Sequence, residues 1–295
     1  MNRNDRPVLV RLYEDANCRL CEALKVELVG HAAAWGIVLE SVDIRTDPRL
    51  LRQYATRIPV VEVEGIYVLE APVSPSDVRQ AVRRVRRGYR RQRRIYDSHW
   101  RWLSRLESAW DHRYGRLWRR QWFERILRVH PPDRPLRGLE LAVGAGRNQA
   151  FYPTAWTVVG LDVSSLWPAV WKRQVPGAGA VLGDVHTLPF RDASFDLVLS
   201  SFTLCAVWHF ERVVEEVYRV LRPGGTWWWL DHVRGPGLAG WVQRAVRPLW
   251  FAILGCFPDR PVGTWLQADP RFRWQVWPLE GGFLQMGYGL KVGGT

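Results

Sequence analysis

The chain is poor in cysteine, in lysine and in long apolar runs, and each shortage excludes something. Cysteine occurs four times in 295 residues, at Cys18, Cys21, Cys205 and Cys256. Two are close together and two are solitary. A disulfide-stapled secreted scaffold is therefore excluded, and a cytoplasmic protein is expected. The stretch MNRNDRPVLV has no apolar core of the signal-peptide kind. The longest strongly apolar run, LWFAILGCF at 249–257, is far too short to cross a bilayer. Lysine appears three times against 39 arginines, a bias that genome composition can produce as readily as function.

Positive charge is plentiful but uneven. Residues 79–137 hold 19 Arg against five acidic residues, which accounts for essentially all of the net charge of +13. Such a run reads as a solvated helical face, or as a surface for an anionic membrane, nucleic acid or an acidic partner. Within it, Leu103, Leu106, Trp110, Tyr114, Leu117, Trp118 and Trp122 fall near helical spacing, an amphipathic stripe between arginines.

The hydrophobic content of 47% allows one large or two modest cores. Residues 1–88 read as β-α-β-α-β-β-α. VLVRLY (8–13) is a buried strand, a helix follows from Cys18, and IVLESVDI (37–44) is a second strand. Asp47-Pro48 opens a short helix, VVEVEG and IYVLE form a hairpin, and SPSD (74–77) caps a further helix. Residues 89–135 read as a basic, Trp-rich helical connector that ends at HPPDRP. From 136 to 295 strands and helices alternate, which predicts a parallel sheet covered by helices. The last two strand-like runs, FRWQVW and FLQMGYGLKV, are joined by Gly281-Gly282.

Two segments carry chemistry. Cys18-Arg-Leu-Cys21 stands at a strand-to-helix junction. A helix N-terminus and Arg19 would favour a thiolate at Cys18, and Cys21, one turn on, could resolve a mixed disulfide. Two buried thiols that never cycle remain the plainer reading. Zinc needs about four ligands. With no second cysteine pair and seven scattered histidines, no metal is expected. The second segment, Glu140-Leu-Ala-Val-Gly144-Ala-Gly146, reads as a glycine-rich turn between a strand and a helix, where a ligand can approach the backbone closely. Gln149 stands where GxGxxG would need its third glycine, which disfavours NAD. Asp162, 22 residues after Glu140, ends the next strand and suits a ribose diol. Asp184 ends the third strand, Asp196 opens the fourth, and LRPGG precedes the fifth.

LVRLYEDANCRLCEALK, the VDI strand and RIPVVEVEG resemble the glutaredoxin-like proteins of the thioredoxin superfamily, over about residues 6–86. The resemblance implies a cis proline at Pro59 facing the cysteine pair, with Cys18, Cys21 and Pro59 as the redox site. Residues 136–295 resemble a class I S-adenosylmethionine (SAM)-dependent methyltransferase of type 11. That implies SAM as cofactor and a Rossmann-like α/β fold after the thioredoxin-like one. It assigns Glu140, Ala142 (usually glycine in the family), Gly144 and Gly146 to the cofactor loop, and Asp162 to the ribose. Val163, Asp184 and Val185 go to the adenine, and Ser200 to the same site.

Strand four continues as SSFTLCAV and lacks the motif of nucleic-acid amine methyltransferases, so no specific nucleic acid is expected. Phe151-Tyr152-Pro153 and Gly255-Cys256 with Arg260 resemble a membrane-associated subfamily acting on hydrophobic thiols, small molecules or phospholipids. The helical piece 241–257 would cover the pocket. Asp231 and His232 follow strand five at the rim where substrates bind. His232 is either a catalytic base or a structural histidine. His186 reads as a supporting residue and Cys205 as core. The expectation is a SAM-dependent methyltransferase for a small apolar acceptor with an accessory redox domain, cytoplasmic or peripheral at a membrane. The alternative is a redox or interaction protein whose methyltransferase fold only binds a ligand.

Overall fold

The computed structural model describes residues 7–64, 67–110, 115–164, 179–279 and 281–293, with backbone only at 92–93 and 96–110. The chain divides into two compact units, residues 1–92 and 93–295.

The first unit is a four-stranded sheet. β1 (Val8–Glu14) pairs in parallel with β2 (Ile37–Asp43) and antiparallel with β3 (Val60–Val63), which pairs antiparallel with β4 (Tyr67–Glu70). The sheet order is β2-β1-β3-β4. Between β1 and β2 runs α1 (Arg19–Trp35), which buries Cys21, Leu24 and Leu28 and stops at Gly36, a left-handed C-cap. α2 (Pro48–Tyr54) opens as expected, with the Asp47 carboxylate accepting from Arg49 N. α3 (Pro75–Trp110) starts with a reciprocal capping box: Ser74 N donates to Asp77 Oδ2, and Asp77 N donates to Ser74 Oγ. Val78, Ala81, Val82 and Val85 then pack on Val8, Val10, Leu12, Val61 and Val63. α3 runs unbroken through residue 88, where the sequence reading ends the first domain.

The second unit is built on a seven-stranded sheet, ordered β10-β11-β9-β8-β5-β6-β7. β5 (Leu136–Leu141), β6 (Trp156–Asp162), β7 (Ala180–Leu182), β8 (Phe195–Ser201) and β9 (Leu221–His232) are parallel. β11 (Leu284–Lys291) is antiparallel between β9 and β10 (Phe272–Pro278). One face is covered by α5 (Phe210–Val220) through Val213, Val214, Val217 and Val220, and the other by α4 (Arg116–Val129) through Trp122, Phe123 and Ile126. Trp227, Trp228 and Trp229 are all buried because β9 is covered on both sides. Trp227 and Trp229 join the α5 core and Trp228 the α4 core, as strand alternation requires.

Two expectations change. The glycine turn does not lead into a full helix: only one 3₁₀ turn, Gln149–Phe151, stands between β5 and β6. Pro153 has no N–H to give and holds Tyr152 extended, which stops the turn from propagating. The basic stripe is partly spent on packing, since Trp122 is fully buried and Trp118 packs against the same core. The side chains of Leu103, Leu106 and Trp110, and all of Tyr114, lie outside the described residues. α6 (Gly237–Leu254) takes in all but the last three residues of the run 241–257 expected to cover a pocket, and ends at Gly255, a left-handed C-cap. It leaves Leu238, Trp241, Val242 and Leu249 exposed. No helix among the described residues is long and apolar enough to cross a membrane.

Candidate active site

In the first unit Cys18 and Cys21 are joined as a disulfide. Cys18 is the N-cap of α1, half-buried, and its Sγ accepts from Cys21 N at 3.2 Å. The peptide bond Ile58–Pro59 is cis. Tyr13 and Val60 are register partners, so Pro59 and the loop leading to Cys18 lie at the same end of the sheet.

In the second unit the residues expected at the cofactor gather at the carboxyl ends of β5, β6 and β7. The turn after β5 needs left-handed backbone at three places: Ala142 (φ 50°), Gly144 (φ 49°) and Gly146 (φ 67°). Ala142 therefore holds a conformation that glycine adopts without strain. The Asp162 carboxylate ties this turn to β6. Its Oδ2 accepts from Gly144 N and its Oδ1 from Ser164 N, both at 2.9 Å. Val163 beside it is exposed. Asp184, after β7, accepts from His186 N at 2.9 Å and from the His186 ring. Val185 packs against the α5 core.

Glu140 lies beneath the turn. It accepts from Asn148 Nδ2 at 2.7 Å and from the Tyr152 hydroxyl. Burial raises its carboxyl from the ordinary 4.5 to about 7, against the pull of the Tyr152 and Asn148 hydrogen bonds. Ser200 does not join this group. Alternation along β8 turns it into the core, where its hydroxyl accepts from Trp227 Nε1 at 3.0 Å. Its neighbour Ser201 faces the turn and accepts from Asn148 Nδ2 at 2.9 Å. Sequence reasoning missed both Asn148 and Ser201.

The rim after β8 and β9 holds a second group. The buried Asp231 carboxylate accepts from Leu204 N (2.6 Å), Cys205 N (3.2 Å) and His232 N (2.8 Å). It thus fixes the loop after β8 against the end of β9, and burial raises its pKa. Thr203 Oγ1 donates to Leu141 O at 3.2 Å, joining that loop to the start of the glycine turn. His232 lies with Cys205 and Cys256, their ligand-type atoms within 4.8 Å of one another. Sequence reasoning treated these three residues separately, because they come from three distant elements.

Residues 139–228 match the methyltransferase domain family, and residues 9–83 match the glutaredoxin-like domain family. The chain carries a glutaredoxin-like domain followed by a methyltransferase domain. Relatives of the methyltransferase domain include the Mycobacterium tuberculosis phthiotriol/phenolphthiotriol dimycocerosates methyltransferase, 33% identical over 117 residues (38% of this chain, 43% of that protein). A Homo sapiens thiol S-methyltransferase is 29% identical over 154 residues (47% and 61%). A Beutenbergia cavernae demethylmenaquinone methyltransferase is 40% identical over 111 residues (37% and 45%). The chain spans about half the length of these relatives. Among solved structures, a Thermotoga maritima SAM-dependent methyltransferase, possibly a histamine N-methyltransferase, superposes with TM-score 0.53 at 21% identity. It covers 67% of this chain and 99% of its own. That likeness is one of fold.

The residues of the methyltransferase domain fit SAM. A strand-end carboxylate, a turn of left-handed residues open to close approach, and an exposed apolar side chain stand together at Asp162, Gly144 and Val163. A Cβ at Gly144 would meet nothing nearer than Ala142 O at 4.0 Å. Asn148 Oδ1 and both amide atoms of Gln149 are buried at this turn without a partner among the described residues, as polar atoms awaiting a polar ligand would be.

Proposed function

We propose that the chain transfers a methyl group from SAM to a small apolar acceptor, a thiol or lipid-like molecule, and that its first domain is a thiol–disulfide oxidoreductase. The observation that carries the first half is the Asp162 carboxylate tied to the left-handed glycine turn at the end of β5. The relatives named for a thiol, a menaquinone and a phthiotriol support the acceptor class.

SAM supplies an already activated methyl on its sulfonium. The protein's task is therefore chiefly to hold acceptor and cofactor in line and to exclude water. A carboxylate offers about four acceptor positions, so Asp162 would take the ribose hydroxyls alongside the N–H groups of Gly144 and Ser164. The glycine turn would let the cofactor approach the backbone, and Val163 and Asp184 would hold the adenine. The apolar acceptor would enter along the rim bounded by His232, Phe202 and α6, where the Phe202 and His232 rings meet tilted with centroids 5.0 Å apart. A thiol of pKa about 8.5 needs little besides loss of its proton, and the groups facing that proton are those around His232. The arginine-rich run is assigned to an anionic membrane surface, from which an apolar acceptor could be drawn.

Two experiments test the halves. The full chain with labelled SAM is offered alkanethiols, quinols, phenols, amines and phospholipids, with methylated product read by mass spectrometry. Methylation of a thiol or an apolar hydroxylated acceptor is expected. SAM binding without turnover on any of them, or turnover on nucleic acid, would overturn the reading. For the first domain, titration of the full chain in glutathione buffers should show Cys18 and Cys21 passing reversibly between dithiol and disulfide. A pair that stays oxidised or reduced across the whole range would end the redox assignment.

A further inference from the structure

We propose that Cys205, His232 and Cys256 form a soft-metal site, taking Zn²⁺ through two sulfurs and one imidazole with a fourth coordination position left open. Their three ligand-type atoms lie within 4.8 Å of one another. A tetrahedral ion with Zn–S about 2.3 Å and Zn–N about 2.0 Å draws its ligand atoms to roughly 3.5–3.8 Å apart. Small side-chain rotations close that difference.

The three residues are held in place before any ion arrives. Asp231 grips the backbone N–H groups of both Cys205 and His232. Phe257 N donates to Cys205 O at 2.8 Å, which ties the Cys205 loop to the loop carrying Cys256. Arg260 donates to Leu204 O at 3.1 Å and also to Val207 O, closing the same loop from below. These hydrogen bonds fix the backbone that carries the three ligands, so only their side chains need to move to close on an ion.

Chemistry and surroundings select the ion. Thiolate and imidazole donors favour Zn²⁺ or Cu⁺ over the hard cations. Two cysteines and one histidine with an open position is a combination used by catalytic zinc. Trp250 Nε1 donates to Cys256 Sγ at 3.2 Å, a hydrogen bond that stabilises a metal-bound thiolate. His232 Nδ1 is buried without a partner among the described residues. Both cysteines are buried and His232 is half-buried, so His232 is the member of the three nearest to solvent, at the carboxyl edge of β8 and β9. In this arrangement His232 is a ligand and not a free base. Any thiol it binds on entry sheds its proton to solvent, as do the cysteines.

The test uses the full chain carrying Cys18→Ser and Cys21→Ser, which removes the other pair of sulfurs. Titration with Co²⁺ is followed by thiolate-to-cobalt charge-transfer absorption in the near ultraviolet. One equivalent should saturate the band, and one equivalent of Zn²⁺ should bleach it. Adding Cys205→Ser or Cys256→Ser should weaken Co²⁺ binding at least tenfold. Folding is checked by circular dichroism, and His232→Gln serves if a cysteine variant fails to fold. No charge-transfer band would overturn the proposal. So would a band unchanged by all three substitutions, or recovery of Cys205 and Cys256 as a disulfide after alkylation under non-reducing unfolding.

Discussion

Glu140 concentrates what single residues add to the account. Folded, it keeps its proton up to about pH 7; unfolded, it loses the proton near the ordinary carboxylate value of 4.5. Between those values the native state binds more protons than the unfolded one, so this residue's contribution to stability falls as pH rises through the window. The loss is on the order of 3 kcal/mol across it. Glu140→Gln should remove that slope, measured by urea denaturation from pH 4.5 to 7.5. An equal slope in both proteins would place the titration elsewhere. The grouping of Glu140, the glycines and Asp162 at one strand-end turn was legible in the sequence because it depends on local spacing. The protonation of Glu140 was not, since it follows from burial of its carboxyl in the folded domain, which outweighs the hydrogen bonds from Tyr152 and Asn148. The meeting of Cys205, His232 and Cys256 was equally hidden. They are 27 and 24 residues apart, and only the β8–β9 pairing and the loop after α6 bring them together.

At the scale of elements, periodicity revealed most strands and helices, while packing decided the rest. The three tryptophans of β9 are divided between the cores on the two faces of the sheet, Trp227 and Trp229 on one and Trp228 on the other. The helix expected after the glycine turn shrinks to a 3₁₀ turn. The face it would have covered is taken by α4, whose Phe123 stacks on Phe151 with centroids 5.1 Å apart. β11 is wedged between β9 and β10 and tolerates no side chain at Gly287. A Cβ there would stand 2.6 Å from Gln275 O and 2.9 Å from the Trp229 ring. Gly287→Ala should destabilise the domain by roughly 1–3 kcal/mol through overpacking, read as a lower denaturation midpoint with an unchanged slope. An unchanged midpoint would mean that β11 can move away from Trp229 at little cost.

For the whole molecule, the decisive features are the fusion of two domains and a charge of +13 concentrated in residues 79–137. The chain should sediment with vesicles containing anionic lipid at low salt and come off as salt rises, because contacts to an anionic surface are screened. Equal binding to neutral vesicles would remove the electrostatic account. Sequence-selective nucleic-acid binding that survives high salt would replace the membrane with another partner. The central claim is that Asp162 and the glycine turn hold SAM. Calorimetric titration of SAM into the full chain and into a folded Asp162→Ala variant tests it most directly. The account predicts saturable binding by the parent chain. It also predicts a loss of about 1.5–3 kcal/mol in the variant, from removing the charged acceptor, equal to roughly 10- to 150-fold in affinity. Absence of binding by the parent chain, or equal affinity in the two proteins, would contradict it.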